Sequence, residues 1–224
     1  MFKGASPFAD YVDAELLFVV GLSLLVLLGL LIAMIYFIIR YSRKRNPTPS
    51  NIEGNVTLEV LWTVIPLGLF MYMFYLGWVG YKTISEIPEG ALPIRVTARM
   101  WAWSFEYPNG VLGDTLVVPV NTAMKLTLHS LDVNHSLYIP AFRVKKDAIP
   151  NRDNTMWFRT PRVASYDIAC AEFCGLRHSY MYTKVVAKDS ASFEIWYQAE
   201  SIRQRKPYTP LLGAGPGKSQ RVAQ

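Results

Sequence analysis

Hydrophobic and polar positions follow two different patterns along this chain. Residues 16–39 and residues 60–81 run without a single charge. Runs of that length suit helices crossing a hydrocarbon core of about 30 Å, whereas the buried helix of a soluble core rarely stays uncharged for so long. The first run lacks the basic region and small-residue cleavage site of a secretory signal, so it is expected to stay as a spanning helix. The two helices are expected at residues 16–39 and 58–81. Gly21, Gly29 and Ala33 offer small faces for helix contact, and Tyr36 is an interfacial anchor. Pro66 should kink the second span or free a carbonyl. Residues 1–15, with Pro7, Asp10 and Asp13, read as an external segment on the membrane surface, and residues 40–57, with Pro47, Pro49 and Gly54, as an irregular loop.

Beyond Lys82 the period shortens. Pro88, Gly90 and Pro93 mark a linker over residues 82–93. Strand-like segments then follow at 94–107, 115–120, 125–131, 135–142, 155–159, 164–169 and 180–187, separated by turns such as Pro108-Asn109-Gly110 and Pro150-Asn151. Short strands at such spacing predict an antiparallel sandwich or barrel over residues 94–189. Residues 190–203 read as one amphipathic helix with Ser190 at its start. Residues 204–224 are basic, rich in Gly and Pro and without periodicity, so no packed core is expected there.

Charge adds an orientation. Arg40, Arg43, Lys44 and Arg45 follow the first span, and short Lys/Arg-rich loops stay on the cytoplasmic side. Both termini and the β domain are therefore expected outside an inner, multi-pass cell membrane, in a periplasm-like compartment that is oxidising. The chain carries a net charge of +6, and from Lys82 onward it has 18 Lys and Arg against 12 Asp and Glu. The expected partners are the membrane and other proteins, not nucleic acid.

The chemistry concentrates in residues 170–181, Cys-Ala-Glu-Phe-Cys-Gly-Leu-Arg-His-Ser-Tyr-Met, which hold both cysteines of the chain, one of its three histidines and a methionine. Two readings stand. Cys170 and Cys174 could pair as a disulfide, the usual fate of two cysteines outside the cytosol. Alternatively, thiolate, imidazole and thioether form a copper site for electron transfer, and Cys-x3-Cys-x3-His-x2-Met supplies more donors than a disulfide needs. His135 is the favoured ligand from outside the segment, at the opening of a strand. His129 competes with it but lies inside an alternating strand, where a half-exposed histidine needs no metal. A mononuclear blue-copper site uses one cysteine, so a second in the same loop favours two coppers bridged by two thiolates, with the Glu172 carbonyl as one weak donor and Met181 as the other. Glu59, at the mouth of the second helix, reads either as an ordinary N-terminal carboxylate favoured by the helix dipole or as a group that admits protons.

Six separated motifs in order carry a resemblance. They are the two-helix hairpin, Glu59-Val-Leu-Trp-Thr-Val-Ile-Pro66, the aromatic run Trp101 to Tyr107, Asp132-Val-Asn-His135-Ser, Lys146-Asp-Ala-Ile-Pro150 and the cysteine segment. Over about residues 10–200 the chain closely resembles subunit II of the haem–copper cytochrome c oxidases. The resemblance implies a membrane-anchored all-β protein: a two-helix transmembrane hairpin followed by a cupredoxin-like Greek-key β-sandwich. It implies a dinuclear copper centre, CuA, held by His135, Cys170, the Glu172 carbonyl, Cys174, His178 and Met181. It also implies that the Glu172 carboxylate holds magnesium at the boundary with the haem-bearing subunit I. It places electron arrival from cytochrome c at Trp101, with Trp103 left for packing, and makes Glu59 the mouth of a proton channel. Such a complex reduces oxygen to water and translocates protons.

Two departures stand out. Ala102 replaces the middle ring of the family's usual aromatic run, and the domain is basic where the family presents an acidic face to a basic cytochrome c. A donor that is not strongly basic, or one tethered to the complex, is therefore expected. No Cys-x2-Cys-His haem attachment motif occurs in the chain. The alternatives are a membrane-tethered copper carrier or sensor, which would give Trp101 and Glu59 no purpose, and a disulfide-stapled interaction domain. A quinol oxidase subunit would have no use for the two cysteines.

Overall fold

The structure is a computed structural model that describes residues 5–48 and 53–212. Its first helix, α1, spans Pro7–Arg40, nine residues ahead of the charge-free run. The reason is a local start signal. The Ser6 hydroxyl accepts the Ala9 amide at 3.2 Å, and Pro7 takes the first helical position, where its missing N–H costs nothing. At 34 residues and a rise of about 1.5 Å each, α1 is longer than the hydrocarbon core requires, so its ends are free to be polar. The second helix, α2, spans Val56–Ser85. Asn55 caps it, accepting the amides of Thr57 and Leu58 at 3.1 and 3.2 Å. Pro66 sits inside α2 and withholds a donor from the Trp62 carbonyl.

Within the hairpin, the Tyr11 hydroxyl donates to the Leu76 carbonyl at 2.7 Å. The Tyr11 ring lies so close over Gly80 that a Cβ there would collide with it. Gly80, not the expected Gly21 or Gly29, is thus the small residue that permits close helix approach; around those two glycines the space is open. Nearly all the apolar side chains of both spans are exposed, Leu25 and Trp62 among them, which in a bilayer is the lipid-facing state.

Residues 5–10 and 83–212 form a second compact unit. Its strands are β1 Leu92–Arg99, β2 Ala102–Glu106, β3 Leu112–Gly113, β4 Leu116–Pro119, β5 Met124–Ser130, β6 His135–Ile139, β7 Val144–Ala148, β8 Asn154–Phe158, β9 Ala164–Cys170 and β10 Tyr182–Lys188. They make two five-stranded sheets, ordered β3-β2-β1-β5-β8 and β4-β10-β9-β6-β7. Alternation along β1 and β5 puts Val96, Leu126 and Leu128 inside, where they join Phe105, Leu137, Phe142 and Phe158 in one core. The sandwich is mixed, not antiparallel throughout: β1 runs parallel to β5 and β10 parallel to β4. The N-terminal segment adds to this core. Ala5 donates to the Ala141 carbonyl at 3.2 Å, Ser6 to that of Phe142 at 3.1 Å, and the Phe8 ring meets Trp157 edge-on at 4.7 Å.

Two strand expectations change. The segment 94–107 is a hairpin, turning at Met100 and Trp101 without Gly, Pro or Asn to announce it; the Asp132 carboxylate holds the turn by accepting the Met100 amide at 2.7 Å. β7, Val-Lys-Lys-Asp-Ala, falls between the expected strands 135–142 and 155–159 and pairs with β6 as an edge strand, where lysines are common.

The closing helix, α3, is Ser190–Arg203, capped by Asp189, which accepts the Ser192 amide at 2.9 Å. The tail beyond it is not unpacked along its whole length. Glu194 accepts the Leu211 and Leu212 amides at 3.1 and 2.8 Å, Asn109 donates to the Pro207 carbonyl at 2.7 Å, and both leucines lie against the core. Residues 213–224 lie outside the described residues.

Candidate metal centre

The strand pairings bring four connections to one end of the sandwich: 100–101, 131–134, 149–153 and 171–181. β1 and β5 end together because they are parallel; β6 starts opposite the end of β9, with Leu137 facing Cys170. The long connection 171–181 is fixed by its backbone. Cys170 donates to the Met181 carbonyl at 3.2 Å, Ala171 to that of Ser136 at 2.9 Å, and His178 to that of Gly175 at 3.1 Å. Gly175 has φ +110°, which L side chains avoid, and a Cβ there would meet the Trp101 indole at 3.5 Å. Glycine is therefore favoured by the turn, while the indole at 3.5 Å is in ordinary van der Waals range of a Cβ.

Inside this frame the sulfurs converge. Cys170 Sγ and Cys174 Sγ are 3.8 Å apart and both thiols are free, a separation far beyond a disulfide bond of about 2.05 Å. His135 Nδ1 lies 3.8 Å from the Cys170 sulfur and His178 Nδ1 lies 3.5 Å from that of Cys174. The Glu172 carbonyl oxygen is 3.3 Å from the first sulfur, and Met181 Sδ is 3.9 Å from the second. His135, Cys170 and Cys174 offer ligand atoms within 4.8 Å of one another. All three are buried, as is Met181, while His178 is half-buried. The six donors expected from the sequence are thus together. Glu172 itself is exposed, and its carboxylate has no partner among the described residues.

The donors fit copper on their chemistry. Two thiols, two imidazoles, a thioether and a carbonyl are the soft and borderline set that copper takes. Burial pushes the Cys174 thiol up to about 11, with the neighbouring Cys170 adding to the effect; a thiolate at Cys174 needs a compensating cation, which a bound metal would supply. His135 Nε2 lies 2.9 Å from Asp132 Oδ1. Because a carboxylate only accepts, that nitrogen carries the proton and leaves Nδ1 free to bind metal. Asp132 also accepts the Val133 amide at 2.7 Å. Burial alone would raise its pKa, but hydrogen bonds from Met100, His135 and Val133 hold it below the ordinary carboxylate value. The sequence reading named Asp132 only within the Asp132-Val-Asn-His135-Ser motif and gave it no role of its own, although the Asp-x2-His spacing was the signal for this contact. His129, the competing histidine, faces Asp153 at 3.2 Å and no sulfur.

The two tryptophans sit in different settings. Trp101 sits in the β1–β2 turn, half-buried, and its Nε1 donates to the Cys174 carbonyl at 3.1 Å. Trp103 is buried, but it does more than fill space: its Nε1 lies 3.4 Å from the Met181 carbonyl, and its ring meets His135 edge-on at 6.1 Å. Glu59 lies in the first turn of α2, exposed, as either reading of it requires.

Residues 111–188 match the family described as "Cytochrome C oxidase subunit II, periplasmic domain", and residues 1–75 match "Cytochrome C oxidase subunit II, transmembrane domain". The cytochrome c oxidase subunit 2 of Alkalihalophilus pseudofirmus is 28% identical over 209 residues, 88% of this chain and 61% of that protein; this chain thus spans about three fifths of that relative's length. That of Thermostichus vulcanus is 29% identical, covering 93% of this chain and 80% of the relative. Among solved structures, the periplasmic domain of subunit II of cytochrome oxidase from Bradyrhizobium japonicum is similar with a TM-score of 0.50 and 28% identity, over 53% of this chain and 99% of that one.

Proposed function

The chain belongs to the cytochrome c oxidase subunit II family, and from that premise we propose that it is the electron-accepting subunit of a haem–copper terminal oxidase. In this reading it takes single electrons from a soluble donor and passes them to haem in subunit I, for reduction of oxygen to water coupled to proton translocation. The observation that carries the proposal is the pair of free, buried thiols 3.8 Å apart, each with a histidine Nδ1 beside it. When bound there, held by His135, Cys170, Cys174, His178, Met181 and the Glu172 carbonyl, a dinuclear copper group would supply one-electron transfer chemistry with little reorganisation.

The chain's own residues prepare that site. Asp132 fixes the His135 tautomer and ring, and the backbone bonds of residues 170–181 hold both sulfurs before metal arrives. Met181 and the Glu172 carbonyl are the weak donors, one beside each sulfur. Core packing keeps water from the sulfurs. Trp101 is the surface group through which electrons arrive, and its bond to the Cys174 carbonyl supports that role. The exposed Glu172 carboxylate is the magnesium ligand at the subunit I boundary, and Glu59 admits protons from the cytoplasmic side. Both termini and the β domain lie on the outer side of an inner membrane, an orientation supported by the basic residues after α1.

A membrane-tethered copper carrier needs a site open to solvent. The burial of Cys170, Cys174, His135 and Met181 argues against it. The deciding experiment is metal content and EPR of the purified complex containing the full chain. Two coppers per chain with a delocalised mixed-valence signal are expected; a single copper would support the carrier, and a metal-free disulfide would sink both.

A further inference from the structure

Beside the metal centre lies a surface whose charge is opposite to what a basic donor needs. A hollow of about 430 Å³ is lined by Met100, Trp101, Arg177 and Tyr180. Three of these present apolar or aromatic surface, and Arg177 is the one charge. Arg177 sits between the ligands Cys174 and His178, and Trp101 is hydrogen-bonded to the Cys174 carbonyl. A partner seated here is therefore in contact with the residues that hold the site. Leu176 and Tyr180, the residues flanking Arg177 to Ser179, are 91% and 78% exposed and add apolar surface at the hollow that Tyr180 lines. An apolar centre with a charged rim is the anatomy of a specific contact.

The neighbouring charges settle the sign. At this end of the sandwich the carboxylates are already engaged: Asp132 by His135 and the Met100 amide, and Asp153 by His129. Arg99 ends β1, and Arg152 stands in the 149–153 connection, which Pro150 ties to Ser130 at the end of β5. Arg99, Arg152 and Arg177 form no ion pair among the described residues, and Glu172 is the one carboxylate left there without a partner. The surplus of Lys and Arg over the rest of the domain carries the same sign to longer range.

We propose that the electron donor is an acidic protein, which docks an apolar side chain into the Met100–Trp101–Tyr180 hollow and sets a carboxylate against Arg177. This rests on the electron-accepting reading above. One electron leaves the donor's reduced metal, which is oxidised, and reduces the site beneath; no atom is transferred. Complementary charge raises association rates by roughly 10- to 1000-fold at low salt.

The test uses the intact oxidase with two c-type cytochromes of similar potential, one acidic and one basic, over a range of ionic strength. The acidic donor is expected to give the higher kcat/KM at low salt, falling as salt rises. Arg177→Glu should lower that kcat/KM about tenfold or more at low salt, leave the copper EPR signal unchanged, and lose its effect at about 1 M salt, where the Debye length is about 3 Å. Arg177→Gln should fall between. Arg159→Glu, the same charge change just beyond β8 at the opposite end of the sandwich, should do far less. A faster basic donor whose rate falls with salt would overturn the proposal, as would equal effects of Arg177→Glu and Arg159→Glu. Reduction by a small neutral diamine separates the two levels: if that also fails and no copper signal is present, the electron-accepting reading itself falls.

Discussion

The sandwich contains two histidine–aspartate pairs that are chemically alike and functionally unlike. His129 and Asp153 meet at 3.2 Å with side chains 30% and 49% exposed; His135 and Asp132 meet at 2.9 Å with the imidazole fully buried. In the first pair the other face of the imidazole meets no sulfur. In the second, Nδ1 meets the Cys170 sulfur, and the carboxylate reaches on to the amide of Met100. The lesson is that a carboxylate orients an imidazole in either place, and what sets His135 apart is the sulfur that meets its other ring nitrogen. Asp132 thereby ties the ligand histidine and the Trp101 turn to one side chain.

The largest effect that could break this comparison is ligand loss. His135→Ala should abolish the two-copper EPR signal of the purified complex, while His129→Ala should retain it in full; equal effects would erase the distinction. Next comes the orienting carboxylate. Asp132→Asn should weaken copper binding about 10- to 100-fold, measured by competition with a chelator, and Asp153→Asn should leave affinity unchanged. Third, Trp101→Phe keeps a ring but removes the donor to the Cys174 carbonyl; the rate of reduction by the donor protein should fall, with the copper signal kept.

Smaller effects concern stability. Asp153→Asn removes an exposed pair and should cost no more than about 1 kcal/mol. Asp147 is different, because the Ser136 hydroxyl, next to His135, donates to it at 2.7 Å. That bond, with burial opposing it and Lys145 assisting, holds the Asp147 carboxyl below its ordinary value. Its contribution is thus present above the unfolded aspartate value and is lost as pH falls through the lower folded value. The gap in melting temperature between the wild type and Asp147→Asn should narrow on acidification across that window, and a gap that widened would contradict the assignment.

Much of the site was legible in the sequence because its donors are rare residues in a short segment. Cys170, Cys174, His178 and Met181 are near neighbours in the chain, so spacing alone collected them. His135 needed the sandwich, which a strand pattern suggests. The start of α1 is also written in the chain, in Ser6 and Pro7, ahead of the charge-free run. What escaped were features made by contact across the fold. The Met100–Trp101 turn has no turn residue of its own and is held by Asp132, 32 positions away. β7 looks polar because it is an edge strand. The tail to Leu212 looks coreless because its support comes from α3 and from Asn109.

The sequence by itself determined the two apolar spans, the β character of the rest and the clustering of candidate donors in residues 170–181, because hydrophobic period and chain spacing are local properties. Tertiary structure decided which glycine the helix pair approaches over, which histidine of a strand faces sulfur, and that the two thiols stand 3.8 Å apart without bonding. It also decided that Asp132 and Asp153 are engaged by histidines and a backbone amide, while Arg99, Arg152 and Arg177 form no ion pair among the described residues. These outcomes depend on strand register and on distances between residues far apart in the chain, and no local pattern encodes them.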